Sequence, residues 1–598
     1  DALSHAHARE VVHRDLKPSN TMVTEASDGT ERFKLVDFGI ARIFGPDVSQ
    51  SLEVGTERVV GTPNYMAPEQ ILGEWRDQGP WTDLYAVGCL AWRIVCGEPA
   101  FERGGRIETA AAQVEEEAGE FSPEFALPPG FEDWVRALLT KDPSRRVRRA
   151  ADAIGGLLEL RAPGESTATQ GAIPHDAKTQ PMRAVVPGDA PTREEADAVP
   201  DGARPTQPMG AVSTEESRQP DEVEIDDEHL RLGPPALPRD WRRIANERMT
   251  SPYPEAGLEL FSLRTVPVVD RQSERDALWA ALLEVAASGE PRALLLEGGA
   301  GAGKSRLAQW LVRHAHETGA AAILRADCAT DGESSEDLRR VFRRHFRTWD
   351  LGRPEVHDRL REELPPLGAG GGDEWLDADA RALTEILRPS FRRLGASAGP
   401  EYRFTSLEQK HRLVARIFAR LARRRPLVVW FDDLQHGPAT LHALEHLLEQ
   451  QEWRAPVLIL ATIRDDELSG QPHLRERLDA IGSREETVDI RLDGLGAQHH
   501  RQLIGRLLAL EPDVADLLAR RTEGNPLFAI QLLEDWVDRG MLQARPEGFE
   551  LADGADAELP DDVHEVWMER LRRLVLHASG DSPWKVLMAV ELAVALGG

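Results

Sequence analysis

The sequence predicts a multidomain chain: a mainly α segment, then a disordered linker, then an α/β domain with a helical subdomain. Three observations carry that reading. The 598 residues exceed what one hydrophobic core supports, so two or more domains are expected. Between about Ala162 and Pro238 the residues Pro, Gly, Ala, Thr and Glu dominate and aromatics are few, a composition that buries too little apolar surface to offset chain entropy. Beyond it, short apolar runs alternate with helical patterns, which predicts a parallel sheet flanked by helices.

The first segment, residues 1–161, is marked by HRDLKPSN at 13–20 and by Asp37-Phe38-Gly39. Each motif places side chains where phosphoryl transfer needs them. Asp15 can accept the proton of an attacking hydroxyl, and Lys17 can meet the charge that builds on the transferred phosphoryl group. Asn20 and Asp37 can hold Mg²⁺ against the phosphates of ATP. Ala67-Pro68-Glu69 follows in the right order, and chance coincidence of all three motifs is remote.

On these residues the segment resembles the C-terminal lobe of bacterial, eukaryotic-like (Hanks-type) Ser/Thr protein kinases. The resemblance implies that Thr62 bonds the catalytic aspartate and favours Ser/Thr over Tyr acceptors, that Asp83 anchors the catalytic-loop backbone, and that Arg146 pairs with Glu69. Tyr85 stands where a tryptophan is more usual. The resemblance also implies a small N-terminal lobe with a Gly-rich loop, a strand lysine and a helix glutamate. Residues 1–12 cannot hold these, because ALSHAHAREVV fits the end of the helix before the catalytic loop. The expectation is a kinase-like fold with its N-lobe missing, in a chain truncated at both ends that alone lacks kinase activity. Arg14, beside the catalytic aspartate, can grip a phosphorylated residue of the activation loop, about Ile40 to Val60. Thr56 is the first phosphosite candidate there, with Ser51 and Ser49 next.

Residues 162–264 form the expected linker, rich in Pro and Ala and acidic toward its end at DEVEIDDEH, 221–229. TQPM occurs at 179–182 and again at 206–209. Thr179 and Thr206 are candidate self-phosphorylation sites and docking points for phosphothreonine-reading partners, against a reading of simple low-complexity drift.

Residues 265–495 form the next unit. RALLLE at 292–297 reads as a buried strand, GGAGAGKS at 298–305 as a glycine-rich loop, and RLAQWLVRHAHE as a helix. In that context Gly298 and Gly303 let backbone N–H groups curl around phosphates, Lys304 reaches the β and γ phosphates, and Ser305 binds Mg²⁺. LVVWFDD at 427–433 is an apolar strand ending in two carboxylates. Asp432 would hold Mg²⁺ through water, and Asp433 would orient or activate the attacking water. AAILRA at 321–326 and PVLILAT at 456–462 read as further strands, with a long helical stretch running to about Arg425. Arg464 follows the last strand and can sense the γ-phosphate.

These motifs resemble the STAND branch of AAA-like signalling ATPases, over about 265–590. VVDRQSERDAL at 268–278 is similar to the family's opening motif, which implies that Arg271 lines the adenine pocket, although Asp270 and Gln272 replace the usual Gly and Glu. EGNPLF at 523–528 resembles the turn of the helical subdomain, 496–558, whose proline, here Pro526, contacts the base. Residues 559–598 are read as the start of a winged helix. His436 stands where a tryptophan is frequent.

The net charge of -30, from 102 acidic and 72 basic residues, argues against a broad grip on nucleic acid. No apolar run of membrane-spanning length occurs. Cys89, Cys96 and Cys328 show no metal-binding spacing, which suits a reducing cytoplasm. The reading is a cytoplasmic Ser/Thr kinase acting on protein substrates, itself included, and coupled to an ATP-binding STAND-type switch, for which the family resemblance implies self-association on activation; its cofactors are ATP and Mg²⁺. The alternative is a pseudokinase-like scaffold or transcriptional regulator whose main activity is the ATPase switch.

Overall fold

The computed structural model describes residues 2–25, 31–38, 63–160 apart from 102 and 104, 237–243, 266–328, 336–367, 375–389, 402–449, 454–552 apart from 546 and 547, and four positions between 565 and 570. Thr62, Thr56, Ser51, Ser49, Thr179 and Thr206 lie outside the described residues, as does nearly all of 559–598.

In the first segment helix α1 (Ala2–His7) leads into the HRD loop, and the hairpin β1 (Thr21–Glu25) and β2 (Glu31–Leu35) carries the chain on to Asp37. Helices α2 (Pro68–Ile71), α3 (Pro80–Cys96), α4 (Arg106–Glu115), α5 (Phe131–Leu138) and α6 (Ala150–Glu159) follow. Proline at the first position of α2 and of α3 suits both starts, since its missing N–H has no helical partner there. The core gathers on α3, where Leu84, Tyr85, Cys89 and Trp92 meet Val135, Leu138 and Phe101. Burial pushes the Cys89 thiol up to about 12, so it behaves as a small hydrophobe.

The second unit opens with α7 (Gln272–Ser288), β3 (Arg292–Gly298), α8 (Lys304–Glu317) and β4 (Ala322–Asp327). Helices α9 (Glu336–His345), α10 (Arg353–Glu363), α11 (Leu376–Leu387) and α12 (Leu407–Leu421) follow. Then come β5 (Leu427–Asp432), α13 (Pro438–Glu449), β6 (Val457–Arg464), α14 (Pro472–Gly482) and β7 (Thr487–Arg491). The long helical stretch expected before Arg425 is thus four helices. Gly352 with Pro354 sets the start of α10, and Pro365-Pro366 follows its end.

The five strands form one parallel sheet in the order β4-β5-β6-β3-β7. Alternate strand residues face opposite cores. Leu294, Leu296, Val428, Trp430, Leu458 and Leu460 pack with α7 and α8. Leu295, Val429, Phe431, Ile459 and Ile463 pack with α9 to α14. Both faces being covered explains why these strands read as unbroken apolar runs. Chain order reverses at β3, so a ligand crevice is expected beyond the carboxyl ends of the strands there.

Helices α15 (Ala497–Leu507), α16 (Pro512–Thr522) and α17 (Pro526–Asp538) form a separate small core around Ile504, Leu518, Leu532 and Trp536. A hairpin, β8 (Leu542–Arg545) and β9 (Gly548–Leu551), closes it.

Candidate active sites

At the first site Asp15 is fixed by its own loop. Lys17 Nζ lies 2.8 Å from Asp15 Oδ2, and Asn20 Nδ2 donates to the same oxygen at 3.0 Å and to the Asp15 carbonyl at 2.8 Å. Both donors converge on Oδ2, and among the described residues none reaches Oδ1, which keeps its lone pairs for an incoming proton. The DFG strand is stitched to this loop: Val36 N donates to Asn20 O at 3.0 Å, and the His13 ring meets Val36 O at 3.0 Å and the Phe38 ring at 4.5 Å between centroids. Asp37 therefore emerges beside Asn20, in a left-handed conformation with φ of 55°.

Buried Asp83 holds the backbone beneath. It accepts the N–H of His13 at 2.8 Å and of Arg14 at 2.7 Å, and a third contact comes from His7 Nε2 at 2.8 Å. Glu69 and Arg146, both with fully buried side chains, form a two-pronged ion pair at 2.8 and 3.1 Å. Gln70 Nε2 donates to Arg14 O at 2.8 Å and ties α2 to the loop.

The second site forms where β3 ends. Gly298 has φ of 154°, and a Cβ there would lie 2.4 Å from Leu492 O, so only glycine fits. Gly303 caps α8. Lys304 Nζ donates to Gly298 O at 2.6 Å and Gly299 O at 2.8 Å, and burial lowers its pKa. Ser305 Oγ donates to Asp432 Oδ1 at 2.8 Å, and Thr462 Oγ1 donates to the same oxygen at 2.6 Å. Burial raises the Asp432 pKa, while the two hydroxyls hold it down in part. A hydroxyl beside a carboxylate is a hard-oxygen donor set of the kind Mg²⁺ takes.

Asp433, at φ of 54°, accepts both forks of Arg464 at 3.2 and 3.1 Å, and its N–H donates to Thr462 Oγ1 at 2.9 Å. Arg464 also donates to Glu467 at 2.8 Å, and His436 joins Glu467 at 3.1 Å. Arg464 thus sits opposite Gly298 in the β3–β6 register with its charge already shared between two carboxylates.

A cavity of about 370 Å³ opens between the 268–275 turn and α15, lined by Val269, Asp270, Gln272, Arg275, His499 and Gln502 among others. Arg271 does not line it; its guanidinium bonds Glu274 at 3.0 Å and the Asp493 carbonyl. Pro526 opens α17, one residue after Asn525. Asn525 Nδ2 donates to Ala300 O at 3.0 Å, and a Cβ on Gly301, whose φ is 79°, would lie 2.4 Å from Asn525 Oδ1.

The structure therefore brings Asp15, Lys17, Asn20 and Asp37 to one place, and Gly298, Gly303, Lys304, Ser305, Asp432, Asp433 and Arg464 to another. Sequence reasoning missed Thr462 and Asn525. Thr462 is a lone hydroxyl in the apolar run VLILATIR, which was the signal for it; Asn525 is the middle residue of the GNP turn.

Comparison with known proteins finds two domains in the chain. Residues 1–154 match the protein kinase domain, and residues 267–460 match the AAA ATPase domain. The serine/threonine-protein kinase PknA of Mycobacterium tuberculosis is 34% identical over 171 residues, which are 28% of this chain and 37% of that protein. PknB of Mycolicibacterium smegmatis is 32% identical, covering 31% of this chain and 29% of that kinase. A probable serine/threonine-protein kinase of Corynebacterium efficiens is 33% identical over 31% of this chain and 27% of its own length. The chain spans between about a quarter and little more than a third of the length of the curated relatives it matches. It carries a serine/threonine-type protein kinase domain joined to an AAA ATPase domain.

Proposed function

We propose that the chain belongs to a Ser/Thr protein kinase whose output is governed by an ATP-operated switch of the STAND type. One observation carries this: a single chain holds two separate sets of phosphate-handling side chains, Asp15–Lys17–Asn20 with Asp37, and Lys304–Ser305–Asp432.

At the kinase site Asp15 takes the proton of a Ser or Thr hydroxyl of a protein, with Lys17 offsetting the developing phosphoryl charge. At the switch, arriving phosphates replace the Gly298 and Gly299 carbonyls as partners of Lys304. Arg464 leaves Asp433 for the γ-phosphate, which frees Asp433 to orient water. Mg²⁺ bound by Ser305 and Asp432, and by Asn20 and Asp37, would supply neutralisation of phosphate charge. The 370 Å³ cavity takes the base, and Pro526, at the start of α17, is the further base contact that the family resemblance implies. Thr56, Ser51, Ser49, Thr179 and Thr206 are the self-phosphorylation candidates, with phosphothreonine-reading proteins as partners and self-association on activation. A cytoplasmic location fits three cysteines that form no disulfide among the described residues.

The test is ATP binding to the chain with and without Lys304→Ala. Affinity should fall at least about a hundredfold, the loss of a charge-assisted contact to two phosphates. Retained tight binding refutes the switch site. Label transfer from ATP to Ser or Thr of a protein, in the longest form of the protein, should vanish in Asp15→Asn.

A further inference from the structure

The helix that starts at the phosphate loop ends on the kinase segment. Helix α8 begins with Lys304 and runs 14 residues, about 21 Å, to Glu317. Its last carbonyls have no partners within the helix, and a helix C-terminus also carries partial negative charge. The turn after the helix takes up the His314, Ala315 and His316 carbonyls, and the last, on Glu317, is met from the other domain. Ser4 Oγ donates to Glu317 O at 2.8 Å. Arg149 Nη1 donates to Ala321 O at 2.6 Å, just past the helix. The Glu317 carboxylate accepts from Arg9 at 3.1 Å and faces His5 at 3.0 Å.

Two further contacts hold the same face. Arg425, ahead of β5, makes a two-pronged pair with Asp152 of α6 at 3.1 and 2.8 Å, and the pair is almost wholly buried. Arg347 donates to the carbonyls of Arg76 and Gln78, both at 2.7 Å, and stacks over Trp81 at 4.4 Å. The Arg425–Asp152 pair is nearly buried and the half-buried Arg347 bonds fixed backbone carbonyls, unlike the exposed ion pairs that carry little energy.

Helix α1, which caps α8 through Ser4, ends at His7. His7 contacts Asp83, the residue that holds the His13 and Arg14 amides. One chain of contacts therefore joins the phosphate loop to the kinase catalytic loop. We propose that this interface couples the two sites, so that nucleotide held by Lys304 is read at the HRD loop through α8 and α1. The inference rests on the ATP-switch reading above.

Hydrogen exchange of the full chain, with and without a Mg-bound non-hydrolysable ATP analogue, tests both. Nucleotide should protect 299–305 and slow exchange across 2–20 by about fivefold or more, the lower range of measured site-to-site coupling. Lys304→Ala should remove both effects. Asp152→Arg or Arg425→Asp should keep protection at 299–305 and lose the response at 2–20, and the double swap should restore it. Arg347→Ala, which buries no new charge, should weaken the response if a swap variant fails to fold. Protection at 299–305 with an unchanged 2–20 in the unmodified chain overturns the coupling and leaves the switch standing. No protection at 299–305 sinks the switch reading and the coupling with it.

Discussion

Thr462→Val removes one hydroxyl from the floor of the nucleotide site and leaves the side chain's shape nearly unchanged. Thr462 is completely buried, donates to Asp432 Oδ1 at 2.6 Å and accepts from Asp433 N at 2.9 Å. A hydrogen bond to a charged group contributes about 1.5–3 kcal/mol, and an orphaned, partly buried N–H costs about 1 kcal/mol more, so roughly 3 kcal/mol is at stake. For a unit the size of the ATPase domain each kcal/mol moves the midpoint by about 2–4 °C, which predicts a fall of roughly 6–12 °C in its melting by calorimetry. The chemistry should shift as well. Burial already raises the Asp432 pKa, and the Thr462 hydroxyl opposes that rise. Mg²⁺ needs the carboxylate, so Mg²⁺-dependent ATP binding should weaken as pH falls through the raised pKa. In Thr462→Val that loss should begin at higher pH. A melting shift below about 1 °C with an unmoved pH profile would show that Asp432 does not depend on Thr462, and the account of this site would fail.

Breaking the Glu69–Arg146 pair by Arg146→Met should destabilise the kinase segment by about 3–5 kcal/mol, because Glu69 is left charged and buried; urea unfolding followed by tryptophan fluorescence measures it. Asn525→Ala should weaken nucleotide binding with little change in melting, since Asn525 ties the helical subdomain to the phosphate loop at Ala300; equal affinity for ATP would place that contact outside the switch. Acid should loosen the interface between the domains. His316 is pushed down to about 3, by burial first and then by its neighbours Arg149 and His7, with Arg425 adding to them and Glu317 opposing. It is neutral when docked and has a pKa near 6.5 when freed, so its contribution is whole above pH 6.5 and fades as pH falls from there toward 3. Urea midpoints should fall between pH 6.5 and 5, and His316→Asn should flatten that slope.

Much of both sites was legible because phosphate chemistry restricts residue choice. The chain uses arginine for nearly all its cations, with seven lysines among 72 basic residues, yet Lys17 and Lys304 are two of the seven. A compact ammonium suits a phosphate approached by a tight loop, and an arginine fork does not replace it. The strands of the central sheet were legible because burial on both faces demands continuous apolar runs. Arg271 was read as a pocket residue from its motif alone, but its side chain turns to Glu274 because the backbone there is left-handed, a geometry that no spacing rule reveals. Contacts such as Arg425–Asp152 join residues 273 positions apart and leave no local pattern at all.

Backbone strain supports the functional map independently of the motifs. Nine described non-glycine residues have positive φ. Left-handed geometry costs such residues about 1–2 kcal/mol each, so it persists only where surrounding contacts impose it, often at working sites. Arg14 and Asp37 belong to the kinase motifs, Asp433 to the proposed nucleotide site, Asp270 and Arg271 to the turn beside the cavity, and Glu523 to the turn that reaches the phosphate loop. Three others, Glu10, Arg347 and Asp350, lie in neither site. The first two are at the contact between the domains, Glu10 against Arg344 and Arg347 against the Arg76 and Gln78 carbonyls. Left-handed geometry at two contact residues fits a surface shaped for a particular partner, which incidental packing between two tethered domains does not require.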